Sequence, residues 1–233
     1  MSLKISYIHA QKLIQDSDLQ KEYESYKNKI VENLGNPSEL SNILEQYLTY
    51  SKKVEKTSND VTVRSAYYSS ILEEHPVLVF EDIIKKLTSS IQGDFFLGNC
   101  ECVIFSGATV DCKPRFDTKK IDFAFAYKTD KFPYPVLLAG YEVKKYLDKT
   151  MYDSVVQTHE VLREFRPATF YGFLGEDEVR GKEVILNSKM KNKEFILTNQ
   201  PRNRDERNKI DSDVYSKWYE FTINEIKESL KHL

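Results

Sequence analysis

The chain contains few of the residues that mark disulfide-rich and zinc-binding proteins. It has three cysteines in 233 residues, at Cys100, Cys102 and Cys112, with no Cys-x-x-Cys pair and no histidine close by. An odd number of cysteines in this arrangement argues against a disulfide framework and a zinc site, and it indicates reduced thiols in a cytoplasmic protein. For Cys100 and Cys102 we expect a packing role, because free cysteines are commonly buried.

Long apolar runs and phosphate-binding loops are also absent from the sequence. No stretch reaches the roughly 20 apolar residues that a membrane span requires, and the first residues lack the apolar core of a signal peptide. We therefore expect no membrane partner. The sequence has no Gly-rich phosphate loop, and Ser106-Gly107-Ala108 does not match a nucleophile elbow, so a motor or other NTPase is not favoured.

Neither sign of charge dominates. The 34 basic and 36 acidic residues give a net charge of −2, which neither supports nor excludes nucleic acid as a partner, because a local basic cleft can lie on a balanced protein. A hydrophobic fraction of 40% with 30% charged residues is ordinary for a soluble globular protein. The length suits one domain, or a core with a helical appendage.

Hydrophobic periodicity predicts helices first, then strands, then a mixed final part. The helices are predicted at 8–33, 37–53, 62–89 (bent or broken at Pro76), 151–165 and 212–230. The strands are predicted at 95–105, 121–127, 136–142, 169–174 and 195–198. A polar stretch at 55–60 is a candidate linker, which divides the chain into an N-terminal helical region, 1–58, and a core, 59–233. This order predicts an α/β fold with a mixed β-sheet flanked by helices, in which the helix after Lys144 makes strand 169–174 parallel to strand 136–142.

The end of the strand predicted at 136–142 carries an unusual pair of charged residues, Glu142 and Lys144. Side chains alternate across a strand, so Glu142 and Lys144 share one face while Val143 points into the core. Asp122 lies on the preceding strand and would meet them if the two strands form a hairpin. A buried strand rarely ends in two charges on one face unless they are paired or bind something.

A salt-bridged, exposed strand end is the alternative interpretation, because structural ion pairs imitate functional sites. The acid-x-Lys spacing is itself unspecific, and it recurs at Asp111/Lys113, Asp117/Lys119 and Glu225/Lys227. Those three pairs lie in a polar loop or on a predicted helix. Only the pair of Glu142 and Lys144 follows a run of apolar or small residues. Acid on one strand, acid-x-Lys on the next, then a helix and another strand is the layout of the PD-(D/E)XK nuclease core.

Three segments carry a resemblance to a known family. The segment Glu142–Asp153 (Glu-Val-Lys-Lys-Tyr-Leu-Asp-Lys-Thr-Met-Tyr-Asp) resembles the catalytic segment of type II restriction endonucleases of the BbvCI group, which cut at CCTNAGC-like sites. Phe195-Ile-Leu-Thr with the following 202–208, and Ser70-Ile-Leu-Glu-Glu, are similar to that group too, so the resemblance covers roughly 68–230. One departure is that Asp122 follows Lys-Ile rather than a proline.

The resemblance implies Mg²⁺-dependent, sequence-specific cleavage of double-stranded DNA by a homodimer or by a heterodimer with a related subunit. Asp122 and Glu142 would supply the carboxylates for Mg²⁺, with the Val143 carbonyl as a further ligand. Lys144 would position the attacking water and stabilise the transition state. Glu73 is expected either to reach the metal ion through water or to form a surface salt bridge.

DNA contacts are predicted mainly in the polar segment 200–209. Arginine reads guanine and asparagine reads adenine in the major groove, so the expected base-reading residues are Arg202, Asn203, Arg204 and Arg207. A solvated charged loop is the alternative, because Asp205 and Glu206 partly cancel the positive charge. Lys145, on the face opposite Lys144, is expected to meet a neighbouring phosphate or solvent. Further phosphate contacts are predicted at Lys113, Arg115, Lys119 and Lys120.

Three functions therefore compete on the sequence alone. The first is a type II restriction endonuclease or one of its subunits. The second is a junction or repair nuclease of the same fold that recognises DNA structure, which the arginine-rich segment and the extra helices disfavour. The third is an inert DNA-binding or subunit-interaction module, which the presence of Asp122, Glu142 and Lys144 disfavours.

Overall fold

The computed structural model describes residues 2–13, 16–57, 61–108, 111–178, 190, 193–198 and 209–233. Within these ranges the strands are β1 (Ser2–Ser6), β2 (Asp94–Ala108), β3 (Pro114–Tyr127), β4 (Val136–Leu147), β5 (Phe170–Glu178) and β6 (Glu194–Ile196). The helices are α1 (Ile8–Lys12), α2 (Ser17–Glu32), α3 (Pro37–Thr57), α4 (Val61–Thr88), α5 (Lys149–Phe165) and α6 (Ser212–Leu230).

The six strands form one mixed sheet in the order β1-β2-β3-β4-β5-β6. The β2–β3 and β3–β4 pairs are antiparallel, whereas β1–β2, β4–β5 and β5–β6 are parallel. Val103 of β2 also pairs with Val136 at the start of β4, so the far half of the β2–β3 hairpin curls back over the sheet. The predicted α/β fold and the predicted parallel crossover through α5 are both confirmed.

Helices cover both faces of the sheet, and each face has its own apolar cluster. On one face, helices α2, α3, α4 and α6 pack on a large aromatic cluster that includes Phe80, Phe123, Tyr141 and Trp218. On the other face, α5 packs on a smaller cluster; its members include Ile121, Ala124, Leu137, Tyr152, Val155, Leu162 and Tyr171. Because Tyr141 and Val143 belong to the first cluster, alternation along β4 places Glu142 and Lys144 on the α5 side.

The N-terminal part differs from the prediction in two ways. It begins with a strand, β1, that the sequence interpretation did not include. The single helix predicted at 8–33 is two helices, because Asp16 caps a new helix by accepting hydrogen bonds from the backbone N–H groups of Asp18 and Leu19.

Two further local predictions need correction. Helix α4 is continuous through Pro76, so the predicted break is wrong, whereas the predicted bend stays a prediction. The buried side chains on either side of Pro76, among them Leu72 and Phe80, offset the cost of a proline inside a helix. Residues 55–57 of the predicted linker are helical, as the last residues of α3, and 58–60 lie outside the described residues. A division of the chain at residue 58 stays a prediction. None of the described helices is long and apolar enough to cross a membrane.

Candidate active site

The hairpin of β3 and β4 brings Asp122 next to the charged end of β4. Phe123 pairs with Tyr141 across the hairpin, so Asp122 lies beside Glu142 and its neighbours. The Lys144 Nζ lies 2.5 Å from Asp122 Oδ2 and 3.4 Å from Glu142 Oε2. The backbone N–H of Val143 donates a second hydrogen bond to Asp122 Oδ2, at 3.0 Å. The three side chains that the sequence analysis singled out are thus in mutual contact.

A β-bulge orients Asp122. Gly98 of β2 pairs with Ala124 of β3, and Cys100 pairs with Ile121. One residue therefore lies between the two pairs on β2, and two residues lie between them on β3. The extra residue of β3 therefore falls between Ile121 and Ala124, and both of these side chains belong to the apolar cluster under α5. Bulges re-aim side chains and are common next to active sites. Asp122 lies within this bulge.

Gly98 of β2 lies next to the register shift that marks the bulge. Gly98 has φ +111°, a conformation that residues with a Cβ rarely adopt. A Cβ at this position would lie 2.5 Å from the carbonyl oxygen of Ser6 in β1. The close packing of β1 against β2 therefore depends on glycine at position 98.

Glu142 is held by residues that the sequence analysis did not assign to it. Its Oε1 accepts a hydrogen bond from the Tyr171 hydroxyl at 2.8 Å and forms an ion pair with Lys119 Nζ at 2.7 Å. Lys119 also donates to Thr158 Oγ1 at 2.8 Å and to the Tyr171 hydroxyl oxygen at 3.2 Å. Tyr171 pairs in register with Gly140, two residues before Glu142. Its position in a buried strand was the sequence signal that could have indicated a polar partner for its hydroxyl group.

The electrostatics of the pair follow from burial and from the two lysines. Burial raises the pKa of Glu142, but the charge of Lys119, hydrogen bonds with Asp122 and Lys119, and the charge of Lys144 outweigh it and hold that pKa at about 2. Burial raises the pKa of Asp122; Lys144 opposes this rise and the nearby Glu142 carboxylate adds to it, so the pKa stays above its ordinary value. Two carboxyl groups this close compete for a cation or share a proton.

These side chains lie in a cleft of about 540 Å³ between β3, β4, α4 and the start of α5. Its lining residues are Glu73, Asn99, Lys119, Lys120, Asp122, Glu142, Lys144, Thr150, Met151, Ser154 and Val155. A larger groove of about 780 Å³ runs along α2, but it is lined by polar residues of that helix alone and has no comparable set of converging groups. The chemistry therefore favours the smaller cleft.

The donor set in the cleft suits a hard divalent cation. Mg²⁺ is commonly held by one or two protein carboxylates and completes its shell with water, so Asp122 and Glu142 fit it. In the part of the chain that the structure describes, no three His, Cys, Asp or Glu side chains form a group able to hold a metal ion. Glu73 lines the cleft, and its charge raises the pKa of Lys144. Its action through water, and the use of the Val143 carbonyl, stay predictions.

Among the predicted DNA-contacting residues that the structure describes, Lys119 lines the cleft and Lys145 does not. Lys145 Nζ lies 4.4 Å from the centre of the Tyr68 ring and 3.9 Å from Glu55 Oε2, both in helices on the opposite face of the sheet. Lys120 lines the cleft. Arg202, Asn203, Arg204 and Arg207 lie outside the described residues. DNA contact by any of these residues stays a prediction.

Comparisons with known proteins give a similar fold and no sequence family. No protein-family model matches the chain, and no curated protein matches it in sequence. Among solved structures, a chain of BbvCI in its native A2B2 tetramer is similar, with a TM-score of 0.66 and 17% sequence identity. The match covers 94% of this chain and 95% of the BbvCI chain. The mixed sheet flanked by helices is therefore the fold found in BbvCI.

Proposed function

We propose that this chain is a type II restriction endonuclease, or one subunit of such an enzyme, with a PD-(D/E)XK core that hydrolyses phosphodiester bonds in double-stranded DNA at a specific sequence. The observation that carries the proposal is the contact among Asp122, Glu142 and Lys144 in one cleft. The fold shared with BbvCI supports it. Three free cysteines among the described residues accord with the reduced thiols expected in the cytoplasm.

In this proposal Asp122 and Glu142 hold Mg²⁺, and the Val143 carbonyl assists them. When bound, Mg²⁺ supplies a water of lowered pKa and offsets charge on the scissile phosphate. Lys144 orients the attacking water and stabilises the charge that develops on the phosphate. The carboxylates around Lys144 raise its pKa despite burial, so the ammonium group is charged and ready for this role.

A single cleft of this kind cuts one strand of a duplex. Cutting both strands therefore needs two clefts, from two copies of this chain or from this chain and a related subunit. The similar BbvCI structure is an A2B2 tetramer, which contains two kinds of subunit. We propose a homodimer or a heterodimer with a related subunit, with double-stranded DNA as substrate.

The test is a digest of a sequenced plasmid by the purified chain with Mg²⁺, beside the variant Glu142→Gln. Discrete double-strand cuts that the variant does not make would support a self-sufficient restriction endonuclease, and the mapped ends would give its site. Site-specific nicks would indicate one half of a heterodimer. Equal cutting by both proteins would show that the cleft is not the active site.

Two other outcomes correspond to the competing functions. Cleavage of four-way junctions or flaps in preference to linear plasmid would favour a structure-specific nuclease. Binding of DNA without cleavage by either protein, also in mixtures with a candidate related subunit, would favour an inert binding module.

A further inference from the structure

Two lysines reach the same pair of carboxylates, but their surroundings differ. The Lys119 ammonium group contacts three protein oxygens, on Glu142, Thr158 and Tyr171, at 2.7, 2.8 and 3.2 Å. An ammonium group has three donors, so the protein itself uses all of them. Within the described part of the chain, Lys144 contacts the two carboxylates, at 2.5 and 3.4 Å, and no further oxygen, which leaves it one donor for a bound molecule.

The two oxygens of Glu142 are also in different environments. Oε1 receives both the Lys119 ion pair and the Tyr171 hydrogen bond. Among the described residues, the lysine contact of Oε2 is a longer one, 3.4 Å to Lys144, and the neighbouring Asp122 carboxyl group also contacts Glu142. The side chain of Glu142 is therefore fixed through Oε1, while Oε2 stays the less engaged oxygen on the side of Lys144.

We propose, on the basis of the proposed nuclease function, that Lys119 is a positioning residue for Glu142. Together with Tyr171 it holds Oε1 so that Oε2 is presented to the metal ion shared with Asp122. Lys144 is then the lysine that acts on the substrate, and the two cations of the cleft have separate tasks.

The groups that hold Lys119 are buried in the fold. Tyr171 is a fully buried residue of β5, and Thr158 is a buried residue of α5 whose hydroxyl donates to the Ser154 carbonyl. Partners that orient a metal-binding side chain in this way are typically worth a factor of about 10–100 in metal affinity or activity. A positioning role therefore predicts that loss of Lys119 weakens metal binding.

A purely electrostatic role predicts the opposite sign. Lys119 is a positive charge close to the metal ligands, and if repulsion were its main effect, its removal would strengthen the binding of a divalent cation. The direction of the change in metal affinity therefore distinguishes the two roles.

The experiment measures Mn²⁺ binding to the full chain by electron paramagnetic resonance, without DNA, in Lys119→Met, Tyr171→Phe and Lys144→Met. Lys231→Met, which removes an exposed lysine at the end of α6, is the matched control. We expect Lys119→Met and Tyr171→Phe to bind Mn²⁺ about 10–100-fold more weakly. The control should remain within about threefold of the wild type. Lys144→Met should not weaken Mn²⁺ binding, because Lys144 makes no contact with the Oε1 atom that Lys119 and Tyr171 hold.

Plasmid cleavage at increasing Mg²⁺ provides the second readout. Lys119→Met should need about 10–100-fold more Mg²⁺ for half-maximal rate, and the rate should recover at saturating Mg²⁺. Lys144→Met should stay roughly a thousandfold slower at every Mg²⁺ concentration. If the cleavage rates of both variants depended on Mg²⁺ in the same way, both recovering at saturating Mg²⁺ or both staying low, the separation of tasks would be overturned.

Unchanged or tighter Mn²⁺ binding by Lys119→Met would overturn the positioning role while the nuclease function stood. Wild-type protein that binds Mn²⁺ but cuts no DNA, by itself and in mixtures with a candidate related subunit, would overturn the nuclease function while the positioning role stood. If circular dichroism shows that Lys119→Met does not fold, Tyr171→Phe decides the question. This variant removes one hydroxyl group, which donates a hydrogen bond to the same Oε1 of Glu142.

Discussion

Replacing Lys144 with methionine separates the chemistry of the cleft from its architecture. The variant loses the ammonium group but keeps an unbranched side chain. Asp122 keeps the Val143 N–H as a donor, and Glu142 keeps Lys119 and Tyr171. We expect a cleavage rate lower by roughly a thousandfold, about 4 kcal/mol of lost transition-state stabilisation, with DNA binding in Ca²⁺ largely retained.

The same variant should be less stable in a pH-dependent way. The Asp122 side chain is 14% exposed, and in the variant it loses its ion-pair partner. We expect this loss to lower the free energy of unfolding by about 1–2 kcal/mol. The value should lie toward the low end, because the Lys144 side chain is 35% exposed and solvent screens its charge. Burial raises the pKa of Asp122, and Lys144 opposes that rise, so the pKa in the variant lies further above its unfolded value. A folded-state pKa above the unfolded value means that acid favours the folded form, so the deficit should shrink as the pH falls toward the raised pKa.

Two assays check these expectations. Single-turnover plasmid cleavage over a range of Mg²⁺ gives the rate, and urea unfolding at about pH 7.5 and about pH 5 gives the stability difference between variant and wild type. A variant that cuts within about tenfold of the wild-type rate would refute the role of Lys144. A stability deficit that grows on acidification would refute the assigned charge state of Asp122.

Three further predictions concern other parts of the chain. Tyr23→Phe removes a hydrogen bond of 2.5 Å to the buried Glu74 Oε1 and should cost about 1.5–3 kcal/mol in urea unfolding; a loss under about 0.5 kcal/mol would contradict a charged, well-satisfied Glu74. Burial lowers the pKa of His75 from 6.5 to about 3, so its contribution to stability is present above pH 6.5 and is lost as the pH falls toward about 3; unfolding midpoints between about pH 7 and about pH 4 should vary less in His75→Gln than in the wild type. Arg204→Ala should weaken specific DNA binding by about 1–3 kcal/mol more than non-specific binding, measured by fluorescence anisotropy in Ca²⁺, and an equal loss on both would indicate a phosphate contact.

The part of the fold that presents the acids could be predicted from local patterns. The apolar run before Glu142 has the length of a buried strand, and the following segment has helical periodicity, so β4 and α5 were both expected. The short polar connection between β3 and β4 is typical of a hairpin, which explains why the meeting of Asp122 with Glu142 could be expected from spacing alone.

The parts that depend on distant pairing could not be predicted in this way. Strand β1 is five residues long and forms by parallel pairing with β2, some ninety positions later in the chain. The first half of β3, from Pro114 to Lys120, is polar and lacks a clean two-residue alternation, and it is a strand because it pairs with β2. Sequence periodicity reports burial on one face, so an exposed arm held by backbone hydrogen bonds gives little signal.

The second lysine of the cleft illustrates the same limit at the level of single side chains. Strict alternation places Lys119 and Asp122, three positions apart, on opposite faces of β3, so local spacing does not predict that Lys119 reaches the carboxylates. The bulge between Ile121 and Ala124 reverses the alternation, so that both side chains reach the carboxylate cluster. The bulge lies in the β2–β3 pairing, next to Gly98, which adopts φ +111° against the Ser6 carbonyl of β1. Local spacing therefore predicts which acids form the site. The lysine that holds Glu142 can be identified only from the assembled sheet, in which β2, β3 and β4 pair.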